Sequence, residues 1–358
     1  MKTLSVESLL AASPPWTHHR ESANPIIVSS RIRLARNLRG MPFPLKTGID
    51  TRQMIAERVV DVVDDLAVLE DPGYAAMEDL SETERNILYE RHLVSAEMTR
   101  LGRGAGVAVD ATGLLALMLN EEDHLRIHAL SPGLQLDPLW ATVYGIESAL
   151  ADELPFAFRS DLGYLTACPT NVGTGMRASV MLHLAALDLQ GELEAVMRGA
   201  KELGMAMRGA FGEGSQPSGG LVQISNQSTL GEDEPTVLRR LTAVVQRLVE
   251  AEHGTRQQLL YERDAQLYDS VGRALGTLRY ARRMSSEEAF GTLGELRLGA
   301  ECGLLPNVSA DVLDDLLTAV QPGHLRLMQD PDADQSTRDT LRATLIRQRL
   351  FPKEAARK

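Results

Sequence analysis

Lysine is nearly absent from this chain of 358 residues, in which five lysines stand against thirty-two arginines. Acidic residues number 49, so the formal net charge is −12. Such a balance lacks the phosphate-neutralising surface of a general nucleic-acid binder. The two cysteines, Cys168 and Cys302, cannot build a disulfide framework, and neither belongs to a Cys-x-x-Cys pair. No His/Cys cluster has the spacing of a structural zinc site. Long apolar runs are missing too, and the longest, residues 114–119, is far too short to cross a bilayer. The first sixteen residues, with Glu7 and only a brief apolar run, do not read as a signal peptide. The expected location is therefore the reducing cytoplasm, with neither nucleic acid nor membrane as partner. Phosphate-binding loops are lacking as well. There is no Gly-x-x-x-x-Gly-Lys-Ser/Thr, and Gly102, Gly104 and Gly106 do not have dinucleotide-fold spacing. A nucleotide in this chain would have to be held by side-chain charge.

What is present reads as a globular protein, 44% hydrophobic and 24% charged. Short strand-like runs lie at residues 26–28, 107–109, 114–119 and 125–130, the later ones close enough for an antiparallel meander. Helical spacing covers residues 54–69, 138–154 and 177–189, and Ser81 followed by acidic residues predicts a helix start. Residues 205–211 and 221–224 read as strands around a Gly/Ser/Pro-rich loop at 212–220. From about Glu234 strand signals vanish. Residues 237–252, 259–283, 312–320 and 336–350 then predict amphipathic helices. With a break at His253-Gly254, the expected class is α+β: a mixed domain over residues 1–254, then an all-helical domain over 255–358.

The arginines of the first domain sit in suggestive places. Arg31 and Arg33 alternate on a predicted strand and so share a face. Arg126 follows the acidic run Asn120-Glu121-Glu122-Asp123. Arg177 opens a predicted helix after a glycine-containing loop, and Arg208 precedes a second glycine-rich loop carrying Glu213. Arginines at segment ends could clamp a triphosphate while the carboxylates face a cationic acceptor.

Four ordered blocks carry a resemblance. They are Ser29-Ser30-Arg31-Ile32-Arg33-Leu34-Ala35-Arg36-Asn37, Asn120-Glu121-Glu122-Asp123-His124-Leu125-Arg126, the run from Cys168-Pro169-Thr170-Asn171 to Arg177-Ala178-Ser179, and Arg208-Gly209-Ala210-Phe211-Gly212-Glu213-Gly214. Together with Ile224-Ser225-Asn226-Gln227 they resemble the ATP:guanido phosphotransferases, the creatine and arginine kinase family, over residues 24–254. Within that family the chain looks most like the bacterial protein-arginine kinases. The metabolite kinases carry a helical domain before the Ser-x-Arg-x-Arg strand, whereas 28 residues precede Ser29 here and the helical domain follows. In it, Arg338-Asp339-Thr340-Leu341-Arg342-Ala343 is similar to the Arg-Asp-x-x-Arg-Ala motif of a phosphoarginine pocket.

The resemblance implies a guanido-kinase catalytic domain, a mainly antiparallel sheet flanked by helices, that moves the γ-phosphoryl group of ATP onto arginine side chains of proteins. Magnesium would arrive with ATP, held mainly by phosphates and water, and no protein metal site is expected. A guanidinium with a pKa above about 12 is a poor nucleophile, so carboxylates must grip its planar fork and aim one nitrogen. The implied catalytic residues are Glu122, Glu213 and Cys168. The implied ATP-binding residues are Ser29, Ser30, Arg31, Ile32, Arg33, His92, Arg126, Arg177, Ala178, Ser179, Val180, Met181, Arg208, Gly209, Ala210, Phe211, Gly212 and Glu213. Residues Arg338, Asp339, Thr340, Leu341, Arg342 and Ala343 are the implied allosteric pocket, while Cys302 reads as structural. Implied partners are proteins with exposed arginine, among them a stress-response repressor, an activator protein and a Clp ATPase–protease downstream. A homodimer or higher assembly is implied through the helical domain. Two other functions stay open: a phosphagen-type kinase of free arginine, and a non-catalytic phosphoarginine-binding adaptor. Ala185-Ala186 stands where the family pattern leads one to expect a proline.

Overall fold

The computed structural model describes residues 1–10, 14, 24–210, 218–263, 265–328 and 333–352. Among them the strands are β1 (Lys2–Thr3), β2 (Ile27–Arg36), β3 (Gly73–Ala76), β4 (Gly106–Val109), β5 (Leu115–Leu119), β6 (Leu125–Pro132), β7 (Phe158–Arg159), β8 (Gly163–Tyr164), β9 (Met176–His183), β10 (Met205–Gly209) and β11 (Leu221–Asn226). The helices are α1 (Val6–Leu10), α2 (Ile49–Asp65), α3 (Glu82–Glu90), α4 (Leu136–Glu153), α5 (Ala185–Leu189), α6 (Leu193–Glu202), α7 (Glu234–Tyr261), α8 (Ala265–Tyr280), α9 (Ser286–Glu301), α10 (Ala310–Ala319), α11 (Pro322–Met328) and α12 (Gln335–Leu350). Nine strands form one sheet in the order β1-β3-β4-β5-β6-β2-β9-β11-β10, and β7 with β8 makes a separate ribbon. β1 joins β3 in parallel, whereas β3–β4, β4–β5 and β5–β6 are antiparallel. The α+β class expected from the sequence holds, and every described element from α7 onward is a helix.

Two compact units divide the chain. The first comprises Met1–Trp16, Ser30–Ser179 and Ser225–Thr242; the second comprises Thr17–Ser29, Val180–Ile224 and Ala243–Lys358. In the first unit, the β5–β6 register pairs Leu119 with Leu125 and leaves residues 120–124 as a five-residue hairpin loop. The expected start of α3 is built as a capping box. Ser81 Oγ accepts from the Glu84 N–H at 3.2 Å, and Glu84 Oε2 accepts from the Ser81 N–H at 2.8 Å. The core of the second unit is formed by Leu278, Leu293, Leu296, Leu313, Leu316, Val320 and Ile346, from α8, α9, α10 and α12 with the residue after α10. Burial of each such side chain contributes roughly 1.5–3 kcal/mol.

Three expectations are corrected. Residues 177–183 are strand rather than helix, and only Ala185–Leu189 is helical. Every β9 residue except Arg177 is buried, so its apolar run does not alternate and its period is ambiguous. The break expected at His253-Gly254 is absent, since α7 runs through it to Tyr261. A single helical glycine costs only about 1 kcal/mol, which the flanking turns absorb. The break comes later, where Arg263 at φ +50 separates α7 from α8. The helix α9 escapes the periodicity because Phe290, Leu293, Gly294, Leu296, Arg297 and Leu298 bury it nearly all round. Among the described residues, no helix is long and apolar enough to cross a membrane.

Candidate active site

In the first unit, β2 alternates buried Ile32 and Leu34 with partly exposed Arg31 and Arg33, as period-two geometry requires. On β6, Arg126 and His128 share a face in the same way, and both are buried. The hairpin between β5 and β6 turns at Asn120, which takes φ +54. Its Nδ2 donates to the carbonyls of Arg52 and Gly104, each at 2.7 Å, and this fixes the turn. Three acids follow. Arg126 is ion-paired with Glu121 and with Glu122, and its Nη2 lies 3.3 Å from Asp123 Oδ2. Their exposures separate their roles: Glu121 is 2% and Asp123 0% exposed, but Glu122 is 36%. Of the three, only Glu122 can meet an incoming cation without rearrangement.

Asp123 is a hub that sequence reasoning missed. Its Oδ1 accepts from Asn37 Nδ2 at 2.7 Å and from the Ala167 N–H at 2.8 Å. The residue after Ala167 is Cys168, a free thiol whose Sγ lies 3.0 Å from Thr170 Oγ1. The next turn is closed by Gly173 at φ +112, where a Cβ would collide with the Thr229 carbonyl. His124 braces the other side. Its Nδ1 accepts from the Leu38 N–H at 3.0 Å, and Nε2 lies 2.9 Å from the Pro42 carbonyl, which leaves Nε2 as the donor.

The electrostatics suit an anion. Burial, then the charges of Arg177 and Arg126, push Arg31 down to about 10 against a weaker pull from Glu121. Arg33 is pushed down further by burial and by Arg126, Arg31 and Arg177. Burial would lower Arg126 as well, but Glu121, Asp123 and Glu122 outweigh it and raise it. Burial alone would raise the Glu121 carboxyl, whereas Arg126 and the Ser95 hydroxyl, donating at 2.6 Å, hold it below its ordinary value. The loop acids therefore neutralise Arg126 and leave Arg31 and Arg33 in excess. Arg31 Nε is buried without a hydrogen-bond partner among the described residues. An anion shared among these guanidinium groups supplies the missing counter-charge.

His92 follows α3 in the left-handed conformation, φ +60, with its N–H donated to the Tyr89 carbonyl at 2.9 Å. Burial, then Arg31, pushes its ring down to about 3, so it is neutral at physiological pH. Arg177 Nη2 donates to Ser225 Oγ at 3.1 Å. Ser30 faces inward, donating to the Gly133 carbonyl at 2.7 Å. Ile32 and Ala178 are core residues, and Ser179 is buried beside them. The structure thus brings Arg31, Arg33, His92, Glu122, Arg126, Cys168 and Arg177 into one unit.

The remaining candidates lie in the second unit or beyond the described residues. Ser29 is buried on β2, and Val180 and Met181 are buried on β9. Arg208 and Gly209 end β10, and Ala210 is buried after it. Phe211, Gly212 and Glu213 lie outside the described residues. On α12, Arg342 is turned inward at 1% exposure. Its Nε donates to the Val320 carbonyl at 2.8 Å, and Nη1 lies 2.7 Å from both the Met284 carbonyl and Asp339 Oδ1. Arg338 Nη1 donates to the Ala333 carbonyl at 2.8 Å, and its Nε is buried without a partner among the described residues. Thr340 is exposed, Leu341 half-buried and Ala343 buried.

The unit also holds a charged network invisible in the sequence. Glu301 lies 2.7 Å from Arg256 Nη1, 3.2 Å from Arg297 Nη1 and 3.2 Å from His183 Nδ1. Arg256 Nε donates to Glu252 at 2.7 Å, and Glu252 accepts the N–H groups of Ala186 and Leu187, each at 3.0 Å. A proline at 186 could not make that bond, which accounts for one of the two alanines.

Comparison with known proteins shows the family. Residues 54–255 match the ATP:guanido phosphotransferase C-terminal catalytic domain, and residues 264–358 match the protein-arginine kinase McsB C-terminal domain. The chain is 40% identical over 335 residues to a protein-arginine kinase of Halothermothrix orenii, covering 94% of this chain and 96% of that one. It is 39% identical to another from Syntrophomonas wolfei, covering 98% of each. Among solved structures it resembles the duplicated taurocyamine kinase of Schistosoma mansoni with bound transition-state analogue components. That match has a TM-score of 0.59 and 25% identity over 68% of this chain, and it spans 35% of the duplicated chain. Lombricine kinase shares the fold at a TM-score of 0.55 and 21% identity, covering 74% of this chain and 73% of that one.

Sheet, arginine cluster and acidic loop together define a kinase that acts on guanidino groups, with ATP as its implied donor. The chain belongs to the ATP:guanido phosphotransferase family. Its C-terminal segment is the domain type found in the protein-arginine kinases called McsB.

Proposed function

We propose that the chain is a protein-arginine kinase, transferring the γ-phosphoryl group of ATP to arginine side chains of proteins. The observation that carries this reading is the pairing of the two family matches in one chain, because the second domain belongs to kinases that act on proteins. In this reading residues 1–254 are catalytic and 255–358 regulatory. Arg31, Arg33, Arg126, Arg177 and Arg208 hold the triphosphate, and His92, neutral by its environment, meets the nucleotide without adding charge. Glu122 and Glu213 are the carboxylates that grip the acceptor guanidinium and aim one nitrogen at the phosphorus. Cys168 orients the same guanidinium. Phosphoryl transfer asks little covalent chemistry of the protein, so alignment and charge stabilisation carry the rate. Magnesium would accompany ATP, held mainly by phosphates and water, and would supply neutralisation of developing charge.

Arg338 and Asp339 offer a phosphoarginine its counter-charges, with Arg342 fixing the helix beneath them. The partners in this reading are cytoplasmic proteins with exposed arginine, an activator protein, a Clp ATPase–protease downstream and a second copy of the chain.

Incubation with Mg-ATP and either an arginine-rich protein or free arginine, followed by mass spectrometry of acid-labile phosphoarginine, tests the proposal. Product on protein that disappears in Glu122→Ala is the expected result. Product on free arginine alone would replace the reading with a metabolite kinase. Binding to phosphoarginine without product from either acceptor would leave an adaptor.

A further inference from the structure

His128 lies on β6 two residues beyond Arg126, on the same face, and it is fully buried. Neither ring nitrogen has a hydrogen-bond partner among the described residues. A neutral imidazole carries one N–H donor and one acceptor nitrogen, and leaving both unpaired in the interior is unfavourable. An aliphatic side chain would fill this strand position without that cost. The neighbours that act on the ring are all basic, namely Arg31, Arg33 and His92. Burial and these charges keep the ring neutral, and no carboxylate opposes them. Protonation therefore does not satisfy it, and no described residue accepts a hydrogen bond from it. A hydrogen-bonding group from outside the chain that the same arginines attract would satisfy it.

We propose that His128 is a further ligand of the nucleotide site, donating a ring N–H to a phosphate oxygen of the anion held by Arg31 and Arg33. This rests on the reading of the arginine cluster as a triphosphate site. The position adds a directional donor to a set of diffuse positive charges, so it sets where the anion sits as well as how tightly it is held. The alternating register of β6 places Arg126 and His128 along one line. One of them is tied to the acceptor-facing acids, and the other is free for the donor nucleotide.

Equilibrium binding of Mg-ATP, and separately of inorganic tripolyphosphate, to the full chain and to His128→Leu and His128→Gln tests the assignment. His128→Leu is expected to weaken both ligands about tenfold with its thermal unfolding intact, and His128→Gln, which keeps an N–H donor, to recover most of the loss. In the unmodified protein, the His128 ring signals in histidine-selective proton–nitrogen spectra should shift as tripolyphosphate saturates the site. A folded His128→Leu protein with unchanged tripolyphosphate affinity would overturn the assignment, as would ring signals unmoved at saturation. The spectral test decides alone if the leucine variant does not fold. Failure of the unmodified protein to bind either ligand would instead remove the nucleotide reading on which the assignment rests.

Discussion

Asp123 accepts the backbone N–H of Ala167 at 2.8 Å, across 44 residues of chain, and so ties the acidic hairpin loop to the segment that presents Cys168. The same carboxylate accepts from Asn37 and pairs with Arg126. One buried group thereby holds in register the arginine of the anion site, the loop carrying Glu122 and the thiol.

Asp123→Ala should destabilise the fold by about 3 kcal/mol, because it leaves buried donors unpaired around Arg126. Urea unfolding of the variant measures this. A loss below the scatter of the measurement would mean that the hub is redundant.

Glu122 is the exposed member of the triad, so its loss should affect chemistry more than folding. Glu122→Gln is expected to lower kcat about 10²–10³-fold while the thermal midpoint and Mg-ATP affinity stay put. Steady-state kinetics with a protein acceptor, beside a melting curve, separate the two effects.

Arg342 and Arg338 should behave differently despite belonging to one motif. Arg342 is buried and donates to the Val320 and Met284 carbonyls, so Arg342→Ala should cost about 3 kcal/mol of stability. Arg338→Ala should barely change stability yet weaken binding of a phosphoarginine peptide. Equal destabilisation by both substitutions would argue against a ligand role for Arg338.

Glu301 gives the fold an acid-sensitive joint. Burial would raise its carboxyl, but Arg297, His183 and Arg256 outweigh burial and bring it down to about 2, against an ordinary value of 4.5. Between those values the unfolded chain binds more protons than the folded one, so stability falls as pH falls. The contribution is complete above about pH 4.5 and lost progressively down to about 2. Glu301→Gln should therefore be less stable at neutral pH and show a flatter dependence of unfolding free energy across that window. Parallel curves for variant and parent would contradict this account.

Much of the site was legible in the chain because its logic is local. Arg31 and Arg33 share a face by the two-residue period of a strand, the Ser81–Glu84 box names its own helix start, and the acids between β5 and β6 neighbour Arg126 through a five-residue turn. Where burial is complete on every side, that periodicity disappears. Residues 177–183 thus read as helix and α9 was not read at all. The hidden groups follow the same division. His128 could have been noticed from its spacing to Arg126, but its lack of a partner depends on what does not surround it. By itself the sequence determined the family, the shared face of Arg31 and Arg33 and the start of α3, all of which are written in neighbouring residues. Only the tertiary structure decided that Asp123 is a hub, that Arg342 is spent on backbone carbonyls and that His128 is unsatisfied, because hydrogen-bond satisfaction is set by residues far apart in the chain.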